Sequence, residues 1–330
     1  MKAASYSGVG AAREVLTVGE VDRPEPGPGQ VRVRVRVSAV NPTDTKTRDG
    51  TTHRPFDGLR IPHQDGAGVI DAVGDGVDPQ RVGQRVWLWL ASPGGAGGAP
   101  LAEWGTCAEY TVVPEHQASP LPDGASDDLG ACLGVPALTA YHCLTADGPV
   151  DGLTVLVTGG AGAVGHYAIE LAHRAGARVV STVSGPEKAE LARKAGADHV
   201  INYREGDPAI AIRDAVGPVD RIVEVALGQN LDQALQVIRS GGSVVSYTAG
   251  PVDPTLPVRA CMTANLNLRF VLLYGVPPDV LRAAAQEVTA AAAAGAITTL
   301  PLHRFSLDDV AAAHEAVESG VIGKVIIDID

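Results

Sequence analysis

The chain has few aromatic side chains to build with. Phe, Trp and Tyr make up 4% of its 330 residues, so Ala, Val and Gly must fill the interior. Cysteine is as sparse: Cys107, Cys132, Cys143 and Cys261 contain no C-x-x-C pair. That spacing disfavours a disulfide framework and a thiolate-rich structural zinc site, and it leaves the four as small core fillers. No uninterrupted apolar run reaches the ~18–20 residues of a membrane span, and the N-terminal MKAASYSGVG lacks the apolar core of a secretory signal. Both point to a cytoplasmic protein with no membrane partner. Positive charge is in deficit as well, with 26 Lys plus Arg against 38 Asp plus Glu and a formal charge of −12. A surface of that sign does not attract phosphate backbones, so nucleic acid is not an expected partner. What remains is ordinary for a globular protein, 45% hydrophobic and 19% charged, and long enough for two domains of ~100–200 residues.

The stretch that organises the chain is Thr154–His166, TVLVTGGAGAVGH. A β-branched apolar run, Thr154 to Val157, stops at a glycine cluster. Residues 163–175 then place Val164, Ala168, Leu171 and Ala175 at spacings of four, three and four, the stripe of a helix lying on a sheet. Strand, glycine turn and helix form a unit that grips a pyrophosphate. The glycines read both as Gly160-x-Gly162-x-x-Gly165 and as Gly159-x-x-Gly162-x-x-Gly165. They supply a tight turn, close approach of phosphate to backbone and close packing of helix on strand. The free N–H groups of the helix's first turn face the anion. A glycine triplet alone is a weak signal; between this strand and this helix it predicts a dinucleotide.

Residues 1–120 read as mainly β. Gln30–Val37 alternates, with valines toward a core and Arg32, Arg34 and Arg36 toward water. Further strands are expected at Gly68–Val73, Arg85–Leu90 and Thr106–Val113, with a flexible loop at Gly94–Pro100 and Pro42 holding Asn41 extended. A helix is expected over Ser126–Leu144, capped by Ser126. Strands at Thr154–Thr158, Arg178–Val183, His199–Asn202, Arg221–Val225, Ser243–Tyr247 and Leu268–Leu272 then alternate with helices at 163–175, Pro186–Ala195, Ala209–Val216 and Leu231–Ile238. That order predicts an α/β fold with a doubly wound parallel sheet and a nucleotide crevice at the strands' C-terminal ends. Helices at Leu281–Ala294 and Leu307–Ser319 follow. A closing strand at Lys324–Ile329 is expected to return to the first domain.

A site for NAD places Asp or Glu at the end of the second strand, ~20 residues past the glycines, to bind the ribose 2′-hydroxyl. Here that position offers Ser184, and the first acid is Glu187. Without the carboxylate nothing repels a 2′-phosphate. Lys188, one turn into the next helix, can supply the cation and Ser184 a hydrogen bond. NADPH is therefore the expected cofactor; the plain alternative for Lys188 is a solvated helix lysine.

Six segments carry a resemblance: VNPTDTKTRDG (Val40–Gly50), IPHQDGAGVI (Ile61–Ile70), VPALTAYHCL (Val135–Leu144), VTGGAGAVGHYAIELA (Val157–Ala172), EKAELARKAGADHVINYRE (Glu187–Glu205) and GKVII (Gly323–Ile327). In this order they resemble the quinone oxidoreductase and zeta-crystallin branch of the medium-chain dehydrogenase/reductases over nearly the whole chain. The resemblance implies a GroES-like β catalytic domain, residues 1–124 and 271–330, around a Rossmann domain at 125–270. It also implies NADPH, with Lys188 and Tyr203 at the 2′-phosphate, and contact of Thr139 with the nicotinamide. In the zinc alcohol dehydrogenases that share this fold, Asn41 stands where a cysteine ligand does and Gln64 where a histidine ligand does. Neutral amides are poor Zn²⁺ ligands, so no metal is expected. Ala163 stands where the family usually has Gly, Glu170 where it commonly has Gln, and Thr51-Thr52-His53 where tyrosines often line the pocket.

Without a metal, the chemistry left is hydride transfer from the nicotinamide to an electron-poor acceptor. The cofactor-binding set expected is Gly159, Gly160, Ala161, Gly162, Ala163, Val164, Ser184, Lys188 and Tyr203. Tyr247, Thr248, Ala249, Leu272, Leu273 and Tyr274 join it from the ends of the fifth and sixth strands. Asn41 is the candidate to hold the acceptor carbonyl or the ribose–nicotinamide edge, Thr139 to touch the ring, and Thr43 or His53, or solvent, to relay a proton. The reading is an NADPH:quinone reductase acting on a small-molecule acceptor. Competing readings are reduction of an enone or 2-alkenal C=C bond, and an NADPH-binding sensor or structural protein without turnover. The apolar run Phe270–Leu273 at the sheet's edge predicts a homodimer.

Overall fold

The computed structural model describes residues 1–52, 58–91, 104–248, 250 and 252–329. The N-terminal half is β-rich: β1 (Lys2–Ser5), α1 (Ala12–Val15), β2 (Thr17–Glu20), β3 (Gln30–Val40), α2 (Pro42–Arg48), β4 (Asp65–Val73), β5 (Arg85–Leu88), β6 (Tyr110–Pro114) and β7 (Ala118–Pro120). Helix α3 (Asp127–Thr145) follows. Ser126 caps it, its Oγ accepting from the Leu129 N–H at 3.1 Å, as the sequence predicts.

The period then changes. β8 (Thr154–Thr158), α4 (Ala163–Arg174), β9 (Arg178–Val183), α5 (Pro186–Lys194), β10 (His199–Asn202), α6 (Pro208–Val216), β11 (Val219–Glu224), α7 (Leu227–Val237), β12 (Ile238–Ser246), α8 (Val258–Thr263) and β13 (Asn267–Phe270) alternate. Their strands line up in the order β10-β9-β8-β11-β12-β13, every neighbouring pair parallel. This is the doubly wound sheet expected, and β8 and β11, where the strand order reverses, mark its topological switch. The fourth and fifth strands start earlier than expected, and α7 begins at Leu227. α9 (Pro278–Ala293), β14 (Leu302–Ser306), α10 (Val310–Glu318) and β15 (Lys324–Asp328) close the chain.

The chain forms two compact units. The first is Met1–Val135, Val276–Gly295 and Pro301–Asp330; the second is Pro136–Gly275 and Ala296–Leu300. In the first, a sheet runs in the order β14-β15-β3-β4-β5-β7, with β6 also paired to β3. β15 lies antiparallel to β3, Ile326 opposite Ala39, so the last strand does return to the N-terminal fold. One face of β3 buries Val31 and Val33 with Ile70, Val86 and Leu88; Val35 and Val40 join Ile61, Cys107 and Ile327 in a second cluster. The core of the second unit sets Leu156, Val180, Ile222 and Val244 of the sheet against Ile212, Leu231 and Val237 of its helices.

Alternation misplaces one arginine. Arg34 and Arg36 are exposed, but Arg32 is 6% exposed. Its guanidinium is held by Asp71 at 2.9 and 3.1 Å and by Glu25 at 2.7 Å, and it lies 5.6 Å from the Tyr110 ring centre. A two-residue period gives the face of a side chain but not whether that face is covered. β1, β2, α2, α8 and β14, at most seven residues each, were too short to read from periodicity. The expected loop at Gly94–Pro100 lies outside the described residues.

Candidate functional site

In the second unit the glycine turn leaves β8 and enters α4. Gly159 has φ of 68°, a left-handed conformation that disfavours a side chain. A Cβ on Gly165 would lie 2.4 Å from the Gly159 carbonyl oxygen, and one on Gly160 would lie 2.0 Å from Ser181 Oγ. These two glycines are packing necessities. Gly162 is different: it is exposed, and a Cβ there would meet only the Gly159 oxygen, at 3.4 Å. It is the N-cap of α4, and no side chain caps that helix. The orphan N–H groups of its first turn, at Ala163, Val164 and Gly165, are open to an anion. A dinucleotide pyrophosphate fits this cradle. Ala161 is buried beneath it.

Ser184 follows β9, and Tyr203 follows β10 with its N–H on the Val183 carbonyl at 3.0 Å. Strand pairing of Asn202 with Val183 therefore sets Ser184 and Tyr203 side by side at the strand ends. Lys188 lies in the first turn of α5, and among the described residues no carboxylate pairs with it. Tyr203 is 47% exposed. Tyr247 and Thr248 follow β12, the Thr248 hydroxyl donating to the Val225 carbonyl at 2.6 Å. After β13, Leu272 is exposed while Leu273 and Tyr274 are buried. Thr139, 6% exposed, has no hydrogen-bond partner among the described residues, whereas Thr145 of the same helix bonds back to Tyr141. Ala249 and His53 lie outside the described residues.

Two residues of the second unit were missed by the sequence reading. Glu224 is fully buried at the end of β11, accepting from the Ala226 N–H and Asn230 Nδ2; burial raises its pKa. Glu170 accepts from the Thr298 N–H at 3.1 Å and hydroxyl at 2.6 Å, with His166 Nε2 at 3.2 Å. That carboxylate holds residues 296–300 in this unit. An amide there would keep one acceptor oxygen in place of two.

In the first unit the polar groups converge on Asp65, fully buried at the start of β4. Its Oδ2 accepts from Asn41 Nδ2 at 2.7 Å, and both oxygens lie 2.9 Å from the Val135 N–H. A Cβ on Gly134 would come within 2.0 Å of Oδ1, so glycine is what lets the carboxylate reach the helix backbone just before Pro136. Lys324 Nζ donates to Asn41 Oδ1 and to the Val40 carbonyl. Burial raises the Asp65 pKa from 3.8 to about 6, against the pull of Lys324 and the hydrogen bonds from Asn41 and Val135. Asn41 thus has an internal partner at each end of its amide. An ammonium against its oxygen is incompatible with a cation bound at that atom, so the residues do not fit a Zn²⁺ site. Among the described residues no three His, Cys, Asp or Glu side chains group to hold a metal.

The segment before Asp65 is clamped. The Gly105, Thr106 and Cys107 N–H groups donate to Ile61, His63 and Pro62, which shortens the expected strand at Thr106–Val113. His63, at φ 74°, starts a buried chain: Nε2 to His314 Nε2 at 2.9 Å, Nδ1 to Ser38 Oγ at 2.9 Å, Ser38 Oγ to Thr106 Oγ1 at 2.7 Å, and Thr106 to the Asp65 carbonyl at 2.7 Å. The last carbonyl can only accept, so each hydroxyl donates toward it. His63 then donates from Nδ1, and His314 donates to His63. Burial depresses both imidazoles, His314 to about 3, and both are neutral. His63 is hydrogen-bonded through both ring nitrogens. Within and beside this frame His314 Nδ1, Thr43 Oγ1 and Gln64 Oε1 are buried without a partner. Cys107, Cys132 and Cys143 are buried free thiols, the last two pushed up to about 12 by burial.

The chain matches two family models, the alcohol dehydrogenase GroES-like domain over residues 27–123 and the zinc-binding dehydrogenase over 163–290. It is 30% identical to a quinone oxidoreductase of Lama guanicoe over 99% of this chain and 97% of that one. It superposes on an NAD-dependent alcohol dehydrogenase with a TM-score of 0.87 at 26% identity, covering 100% of both chains. It also superposes on a mycobacterial protein complexed with NADPH, with a TM-score of 0.82 at 27% identity and 99% of both.

Asp65 makes a pH prediction. Its folded pKa lies above its unfolded value, so the native state holds the extra proton between pH 4 and 6 and loses stability as pH rises through that window. Asp65→Asn cannot titrate. The stability of the wild type relative to Asp65→Asn, measured by urea unfolding, is expected to fall by about 2 kcal/mol from pH 4 to pH 7; a difference independent of pH contradicts the assignment.

Proposed function

The chain belongs to the quinone oxidoreductase family of medium-chain reductases and is an enzyme of that type, and we propose that it transfers a hydride from NADPH to a quinone or similar electron-poor carbonyl acceptor. The observation that carries the cofactor choice is the end of β9, where Ser184 stands in place of an acid and Lys188 has no carboxylate partner among the described residues. A 2′-phosphate would find a cation and a hydroxyl there, with Tyr203 alongside, and no repelling charge. The similar mycobacterial structure holding NADPH supports the same choice.

When bound, NADPH supplies the hydride. The chain's own residues hold and orient. The first turn of α4, with Gly159, Gly160, Ala161, Gly162, Ala163 and Val164, takes the pyrophosphate on backbone N–H groups. Thr139, whose hydroxyl its own helix leaves free, is assigned to the nicotinamide, and Tyr247, Thr248, Ala249, Leu272, Leu273 and Tyr274 to further contacts with the cofactor. Asn41 keeps one amide hydrogen and one lone pair beyond those used by Asp65 and Lys324, which suits the ribose–nicotinamide edge. Thr43, His53 or solvent returns the proton. The activity needs no zinc.

The proposal sets this enzyme in the cytoplasm as a homodimer. Among the described residues no helix is long and apolar enough to cross a membrane. β13 is an edge strand whose Phe270 is 71% exposed, with Leu272 at 66% and Met262 of α8 at 72%. Edge and apolar surface together are a liability that a second copy removes.

Two measurements test this. NADPH oxidation followed at 340 nm against quinones, 2-alkenals and an acceptor-free blank is expected to respond to quinones. Turnover on alkenals alone would make the protein a C=C reductase, and binding of NADPH without turnover would make it a sensor. In the same assay Lys188→Glu is expected to raise KM for NADPH about tenfold or more while changing that for NADH little; equal effects overturn the cofactor assignment. Light scattering at micromolar concentration is expected to give the mass of two chains, and a monomer overturns the dimer.

A further inference from the structure

A buried primary amide is unfavourable unless its oxygen and nitrogen find partners. Gln64 is 3% exposed, its Oε1 is sealed without a partner, and among the described residues nothing bonds its Nε2. The backbone on either side is held hard. Gln64's own carbonyl accepts from the Ala91 N–H at 2.9 Å, His63 before it is anchored to Ser38 and His314, and Asp65 after it to Asn41 and Val135. The Asn41–Asp65 bond joins this segment to the start of α2, where Thr43 Oγ1 is another sealed and unpartnered polar atom. A rigid frame carrying a side chain with both hydrogen-bonding ends idle is the form of a preorganised binding group.

We propose that Gln64 is the residue that docks the acceptor's oxygen, an inference that rests on the reductase reading above. An amide donates through Nε2 and accepts through Oε1 without any change in its own protonation. A quinone presents carbonyl oxygens, which only accept. Addition of one hydride, delivered by NADPH as it becomes NADP⁺, and one proton converts the quinone to a hydroquinone, whose hydroxyls also donate. Gln64 serves both through Nε2, which unlike Oε1 is not sealed: it donates to the carbonyl of the oxidised acceptor and to the hydroxyl oxygen of the product. Asn41 is less free, since Asp65 and Lys324 already take one hydrogen and one lone pair of its amide. The acceptor class that follows is a compound whose reacting group carries a carbonyl oxygen.

The test is Gln64→Met, which keeps the length and volume of the side chain and removes both polar ends. Because the native amide has no partner in the chain, its loss is expected to leave Tm unchanged or raised, and NADPH affinity, read by the nucleotide's fluorescence, unchanged. The value of kcat/KM for 1,4-naphthoquinone is expected to fall about 10- to 100-fold. A lowered Tm or weakened NADPH binding marks a structural residue and overturns the inference, as does an unchanged kcat/KM. Either result leaves the reductase reading standing if the wild type reduces the quinone. A wild type that reduces no acceptor removes the reading and the inference together.

Discussion

A carboxylate sealed from water must find its donors within the chain, and Asp65 sets that demand at the centre of the first unit. Its needs select the residues around it. Gly134 is there because any Cβ would strike the carboxylate, Val135 because its N–H points at it, Asn41 because its amide bridges Asp65 to Lys324. The residue after β3, the start of β4, the first half of α3 and the start of β15 all meet at this one group. Removing a single partner would leave a buried charge with too few donors, which costs far more than the net worth of one hydrogen bond.

The same arrangement decides the chemistry open to the chain. With an ammonium on the oxygen of Asn41, that side chain is committed to the protein's interior electrostatics. A bound metal does not fit beside it, and in the proposed reading the acceptor's oxygen is met by a neutral amide, Gln64. In the proposed reading the reducing power comes from the nucleotide that the glycine turn of the second unit suits.

How legible each part was follows from the distance in sequence over which it is assembled. The dinucleotide cradle is local: a strand, a turn and a helix within about twenty consecutive residues, so its spacing could be read directly, as could the order of the parallel strands. The Asp65 cluster joins residues 24, 70 and 283 positions apart, and no periodicity links them. Asn41 was found as a site residue but not what holds it. Gln64 was noticed only as a poor zinc ligand, although the choice of an amide at a buried position was the available signal. Glu170 stands out in the sequence only as a departure from Gln, because Thr298, its partner, lies 128 positions away. Arg32 read as solvated because alternation reports a face and not its cover.

The proposed hydride chemistry needs a nucleotide and no metal. The most direct measurement is quinone-dependent NADPH oxidation by the full-length protein before and after exhaustive treatment with a zinc chelator. The rate is expected to be the same in both. Loss of activity on chelation, with recovery on adding Zn²⁺, would contradict the account.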